Sequence, residues 1–438
     1  MLFGTQRINS KGHLEIGGCD AVELAQRFGT PLYVIDEAAF RDRCTEYVEA
    51  FSSRTASEGT SAQIAFASKA FLSKAAAKLA HEQGLHLDVA SLGEMLVVHA
   101  AGVDMSHVTL HGNFKKDEDL EAALELQVGM IALDSFDECK RLSELAVARG
   151  TKQRSIIRVV PGIAAHELEK IITGQNDSKF GINIENGEAL DAAKLCLELP
   201  GIELVGFHAH IGSQILDVSP FETLADVMMG FCADVKSATG WMAQLVVCGG
   251  GLGIHYKGSD DPPSVKTLAE TIVGGVRRAA EERDLAMPTI GVEPGRSIIG
   301  ESGTTLYEVG PIKTVPLGAE GTRTYVAVDG GLSDNPRPAM YGSEYPVLLA
   351  NRAAEDPDTT VRISGRHCET DTLFPAIKLP NPRTGDVVAV LSTGAYNHTM
   401  ASNYNFFYRP AVVFVSDGEA REVVRRETQD DLTARDVG

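Results

Sequence analysis

Positive charge is scarce in this chain: 40 Lys and Arg stand against 60 Asp and Glu, a formal charge of -20. A surplus of carboxylates repels phosphate backbones and anionic bilayers, so neither nucleic acid nor a membrane surface is an expected partner. An anionic small molecule can still be held by local Arg, Lys or backbone N–H groups. Cysteine is sparse too: seven positions (19, 44, 139, 196, 232, 248, 368), odd in number and without a C-x-x-C pair. That argues against a disulfide framework and a zinc site, and points to a reducing compartment. Long apolar runs are missing, and the opening MLFGTQRINSKGHLEIGG has no apolar core of the signal-peptide kind. The expected location is the cytoplasm, and no metal is expected.

What is present is the texture of a folded globular protein. Hydrophobic residues make up 44% and charged residues 23% of 438 positions, enough for a large core and more than one domain. From Leu32 onward short apolar runs alternate with helical patterns: YVID, QIAFASK, LHLDVAS, VTLHGN, MIALDS, SIIRVVPG, IELVGFHAHI, QLVVCGGG and TIGVEPG, each followed by a polar or amphipathic stretch. Alternation of this kind implies a parallel sheet, and eight strands after YVID favour a closed (β/α)8 barrel of the TIM type. After about Gly300 the pattern turns to β-rich segments such as TLYEVGPIKTVPL, RTYVAVDGG and DVVAVLST. The expected organisation is an N-terminal segment over 1–31 that packs with the β-domain, an α/β barrel over 32–299, and a C-terminal β-domain over 300–438.

The unusual polar residues fall at or just past the strand ends, the face where barrels keep their active sites. Lys69 sits in AFASKAF, an apolar run in which a lysine reads either as an interior nucleophile able to form a Schiff base with an aldehyde, or as the partner of a strand-end carboxylate such as Asp88. CGGGLG after the seventh strand offers a backbone that a phosphate can approach, or simply a tight turn. In GFHAHIGSQ, His208 and His210 share one side of a strand, with Ser213 beyond; one suits stacking or hydrogen bonding and the other packing, and spacing supplies no third metal ligand. In VEPGRS, Glu293 can hold a protonated heterocyclic nitrogen and Arg296 a carboxylate, or the two can pair with each other. Cys368, in GRHCETDTL, is an acid/base group or a small buried hydrophobe, with Glu369 beside it favouring the first.

Together these motifs resemble the fold-type III pyridoxal-phosphate decarboxylases, and within them the branch acting on meso-2,6-diaminopimelate, over nearly the whole chain. The resemblance rests on ASKAF, LDVASLGE, LHGN, SKFGI, HAHIGSQI, GGGLGI, EPGRSI, DGGLSDNPRPAMYG, GRHCET and GAYNHTMASNYN in that order. It implies that Lys69 holds pyridoxal 5'-phosphate covalently, that His210 stacks on the cofactor ring, and that Glu293 keeps the pyridine nitrogen protonated. Ser213, Gly250, Gly251, Gly295, Arg296 and Tyr396 are implied around the cofactor, with Asp88 and Arg158 near it. Arg296, Arg337, Tyr341, Glu369 and Tyr396 are implied ligands of the substrate's distal end, and Cys368 the proton donor. The same resemblance implies a homodimer whose active sites are shared between subunits, with decarboxylation to L-lysine and carbon dioxide as the reaction. Two positions depart from the family pattern: Phe71 and Phe114 replace polar residues. Decarboxylases of ornithine, arginine or carboxynorspermidine, and a non-catalytic cofactor-binding homologue, are the alternatives. The first would differ in the loops around Arg337, and the second would lack Cys368 or a substrate arginine.

Overall fold

The computed structural model describes residues 1–163 and 178–438; residues 164–177, most of the HELEKIITGQNDSKFG stretch, lie outside the described residues. The chain forms two compact units: Arg43–Ile254 with Asp261–Ser297, and Met1–Asp42 with His255–Asp260 and Ile298–Gly438.

The first unit is a closed parallel barrel. Its strands are β1 (Ala62–Ala67), β2 (His86–Val89), β3 (Val108–Leu110), β4 (Met130–Leu133), β5 (Gln153–Val160), β6 (Ile202–His208), β7 (Leu245–Val247) and β8 (Thr289–Val292), paired in that order, with β8 returning to β1 through Ile290 and Ala62. Parallel strands packed on both faces carry apolar side chains nearly throughout; Met130, Ala132, Ile156, Val205, Leu245 and Val247 form one such cluster. Ser73, Ser91, Ser135 and Ser264 each cap the helix that follows by accepting a backbone N–H of its first turn. After β1, β2 and β4 the capping serine stands within six residues of the strand end, so the strand-end residues there sit on short connections. Gly206 marks a register shift in β6, and a Cβ there would fall 1.8 Å from the Leu245 carbonyl oxygen. Only glycine lets β6 and β7 approach so closely.

The second unit is built from both ends of the chain. The 14-residue strand Gly303–Pro316 pairs with Leu32–Asp36, Val387–Leu391 and Thr322–Val328. Leu306 and Ala389 face one core with Leu14, Leu32 and Val413, while Tyr307, Val388 and Val390 face another with Val326 and Phe374. The alternation follows the two-residue period of a strand, and with both faces covered the central strands carry few polar groups.

Two corrections to the expected organisation follow. The strand read from YVID lies in this β unit, antiparallel to Gly303–Leu306 and parallel to Ala411–Val415, and not in the barrel domain that was expected to begin at residue 32. The division between units falls after Asp42, inside the helix Glu37–Ala56.

Candidate active site

The C-terminal ends of the barrel strands converge on one carboxylate. Glu293, directly after β8, is hydrogen-bonded through Oε2 to His208 Nε2 at 2.8 Å and meets His111 Nε2 through Oε1 at 3.3 Å. His208 ends β6 and His111 follows β3, so three strands distant in sequence supply one cluster. Asp88, on β2, joins it with Oδ1 3.6 Å from His111 Nε2. The ligand atoms of His111, His208 and Glu293 lie within 4.8 Å of one another, a spacing a metal ion could use. Both Glu293 oxygens already face an imidazole, which makes the cluster a charge network as it stands.

The charges in this network are unevenly distributed. Burial opposes the ionised Glu293, but His208 and His111 outweigh it and hold the carboxyl well below its usual range. Burial and the nearby Glu293 charge push Asp88 up to about 7. For His111 burial opposes protonation, and the charges of Glu293 and Asp88 overcome it, raising the imidazole to about 9. His208 goes the other way, lowered by burial to about 4. One anion is therefore fixed at Glu293, with a cationic His111 on one side and a neutral His208 on the other.

Around this carboxylate stand the remaining strand-end groups. Lys69 follows β1; its backbone neighbours Ala67, Ser68, Ala70 and Phe71 are buried, but the lysine itself is exposed. This corrects the expectation of an interior amine: the apolar run belongs to the strand, and the lysine just past its end is exposed while its charge still acts on Asp88 and His210. His210 accepts the Gly250 N–H on Nδ1 at 3.3 Å, and burial, reinforced by the Lys69 charge, holds its imidazole well below the ordinary range. A neutral imidazole fixed by the backbone suits face-on contact with a ring. Arg158, on β5, lies 4.4 Å from the Phe180 ring centroid.

The glycine run after β7 is a lining in which no side chain fits. A Cβ on Gly249 would meet the Ala209 carbonyl oxygen at 2.7 Å, on Gly250 that of Glu293 at 2.1 Å, and on Gly251 that of Gly212 at 2.6 Å. Gly249 and Gly251 also have φ of +63° and +121°. Arg296, buried, donates through Nε and Nη2 to Ser213 Oγ at 3.3 and 3.0 Å. Gly295 is similarly confined, its Cβ position 3.0 Å from Ala70.

The β unit holds the other predicted residues. Arg337 is buried, its guanidinium 5.1 Å from the Tyr341 ring and 5.4 Å from the Tyr396 ring, and its Nε has no hydrogen-bond partner among the described residues. Tyr396 has φ of +63°, a conformation non-glycine residues seldom adopt. Cys368 is an exposed free thiol and not a buried hydrophobe, and its N–H donates to Asn405 Oδ1 at 2.9 Å. Glu369 accepts the Tyr404 hydroxyl at 2.6 Å. Of the two departures, Phe71 is buried and Phe114 is 75% exposed.

The sequence singles out Glu293 and leaves open which of His208 and His210 packs, the resemblance assigning the stacking role to His210; it marks His111 only as a strand-end residue without a role. The residue type and its strand-end position were the available signal for His111; its convergence with Glu293 depends on barrel closure, which local spacing does not encode.

The donor set of the barrel unit fits pyridoxal phosphate: an accessible primary amine for the aldehyde, a fixed anion for the ring nitrogen, a neutral imidazole for the ring face, and a glycine lining for the phosphate. Comparison with known proteins agrees. Residues 38–300 match the family model described as "Pyridoxal-dependent decarboxylase, pyridoxal binding domain". The diaminopimelate decarboxylase of Bacillus subtilis is 44% identical over 100% of this chain and 98% of its own length, and that of Corynebacterium efficiens 40% identical over 97% and 92%. The crystal structure of diaminopimelate decarboxylase from M. jannaschii in complex with L-lysine superposes with a TM-score of 0.93 at 34% identity, covering 100% of this chain and 99% of that one. The chain belongs to the pyridoxal-dependent decarboxylase family.

Proposed function

We propose that this enzyme decarboxylates meso-2,6-diaminopimelate to L-lysine and carbon dioxide, the last step of lysine biosynthesis. The observation that carries the choice of substrate is Arg337: a buried guanidinium whose Nε has no hydrogen-bond partner among the described residues, flanked by Tyr341 and Tyr396. A buried N–H without an acceptor costs about 1–3 kcal/mol, more on a charged group, and a substrate carboxylate removes that cost. Diaminopimelate has a second carboxylate to offer; ornithine and lysine do not. The similarity to diaminopimelate decarboxylases over the full chain supports the same reading.

Bound pyridoxal phosphate supplies the electron sink for the pair released when the substrate carboxylate leaves. Lys69 would hold the cofactor through its side-chain amine, the group in this site able to condense with an aldehyde. Glu293 keeps a proton on the ring nitrogen, because an anion beside that nitrogen favours its charged form. His210 would cover the ring face, Gly250, Gly251, Gly295, Ser213, Arg296 and Tyr396 would hold the phosphate end, and Asp88 and Arg158 would lie near the ring. Arg296, Arg337, Tyr341, Glu369 and Tyr396 orient the distal amino acid end. Cys368 returns a proton to the carbon that lost carbon dioxide, and its exposed thiol supports that role. We further propose a homodimer whose sites draw residues from both subunits, working in a cytoplasm reducing enough to keep all seven cysteines as thiols. Among the described residues no helix is long and apolar enough to cross a membrane.

The test is carbon dioxide release by purified protein loaded with pyridoxal phosphate, offered meso-diaminopimelate, ornithine, lysine or arginine. Turnover of the first alone, abolished together with the visible absorbance of the bound cofactor by Lys69→Ala, is the expected result. Efficient turnover of ornithine would sink the assignment.

A further inference from the structure

Two loops of the β unit, one leading to Arg337 and one carrying Cys368 and Glu369, are fastened together by a carboxylate that the proposed chemistry does not use. Asp371 is buried. Its Oδ1 accepts the Leu332 N–H at 2.9 Å, and its Oδ2 accepts the His367 N–H at 3.2 Å and meets His367 Nδ1 at 2.5 Å. The backbone repeats the connection: Gly365 N–H donates to the Asp371 carbonyl at 2.7 Å, and Arg366 N–H to that of Gly330 at 3.1 Å.

Space has been left for this carboxylate. A Cβ on Gly331 would lie 2.1 Å from Asp371 Oδ2, and one on Gly365 2.0 Å from the same atom. Both glycines line a slot with room for the Asp371 oxygen and for no side chain of their own. His367 carries the restraint onward: its ring lies 25° from parallel to Tyr404 at 5.9 Å and edge-on to Phe407 at 5.1 Å. Cys368 follows immediately, with its N–H on Asn405, and Glu369 is held by Tyr404. The exposed thiol thus hangs from a hairpin fixed on both sides by buried contacts.

We infer that Asp371, acting through His367, is a positioning residue that clasps the Cys368–Glu369 loop onto the Leu332–Arg337 loop and so fixes where the proton donor stands. The inference rests on the role proposed above for Cys368. A misplacement of about 1 Å in a reacting group can cost about 10²-fold in rate, which is the scale at stake.

Asp371→Ala and His367→Phe separate the clasp from mere stability; the phenylalanine keeps a ring against Tyr404 and Phe407 and removes only the Nδ1 contact. In holoenzyme, both are expected to lower kcat, Asp371→Ala by about 10²-fold, with pyridoxal phosphate affinity unchanged. Both should also change the rate at which iodoacetamide alkylates Cys368, the one exposed cysteine among the described residues, and displace its pH profile. Wild-type kcat and wild-type alkylation in a folded Asp371→Ala overturn the inference. If that variant does not fold, His367→Phe decides on the same two readouts. Full activity in Cys368→Ser would remove the donor role alone; the alkylation rate in Asp371→Ala still tests the clasp.

Discussion

Glu293 has its charge imposed from two directions, by a short hydrogen bond from His208 and by a cationic His111. Glu293→Gln keeps the shape and removes the charge, so kcat is expected to fall about 10²–10³-fold, the scale of a lost preorganised electrostatic contact; steady-state carbon dioxide release measures it. The same network gives the protein without cofactor a defined response to alkali. His111, near 6.5 when unfolded, is raised to about 9 in the fold, so its stabilising contribution is full below about pH 6.5 and is lost as pH rises through about 9. Melting temperature should therefore decline from pH 6.5 to 9, and His111→Asn should flatten that limb; an unchanged slope in the variant refutes the assignment. His208, lowered to about 4, opposes acid instead, its contribution lost as pH falls from 6.5 towards 4. At this scale the sequence was legible where chemistry is a property of one side chain. Lys69, Glu293 and His210 stood out by type and place, whereas the exposure of Lys69 and the pairing of His111 and His208 with Glu293 depend on where other strands end.

Two loops of the barrel illustrate how elements hold such groups. After β3, Lys115 is buried and its Nζ donates to the carbonyls of Gly112 and Ala132 and to Glu138 Oε1, each at 2.7 Å. This joins the loop that begins at His111 to the end of β4 and to the helix Phe136–Ala148. Lys115→Met leaves Glu138 buried without its cation and should cost about 3–5 kcal/mol of stability in denaturant titrations, much of it restored by a second change, Glu138→Leu. After β7, Gly250→Ala forces a methyl group against the Glu293 carbonyl oxygen, and the expected outcome is a folded protein with greatly weakened pyridoxal phosphate binding, read by cofactor absorbance after dialysis. The alternation of strands and helices was plain in the sequence because apolar runs and serine-capped helices are local signals. The partner of a strand is not local: YVID followed by a helix has the same appearance whether it enters a barrel or the β sheet, and here it pairs with Gly303–Leu306.

For the whole molecule, the shared-site dimer proposed above makes a prediction that neither unit makes alone. Lys69→Ala and Cys368→Ala chains, each inactive, should regain about a quarter of wild-type activity when mixed and allowed to exchange subunits, because half of the dimers are mixed and each of those holds one intact site. Absence of any recovery, with exchange demonstrated by differently tagged chains, would place Lys69 and Cys368 in the same subunit. The dual origin of the β unit has a further consequence, for the order of events on the ribosome. Leu32–Asp36 is made first, but its neighbours Gly303–Pro316 and Ala411–Ser416 emerge only after every barrel strand. An early apolar strand must wait, unpaired, through most of synthesis, while the barrel can close without it. A nascent chain halted near residue 300 should thus present a protease-resistant barrel with a labile leader, and that leader is the segment most in need of a chaperone.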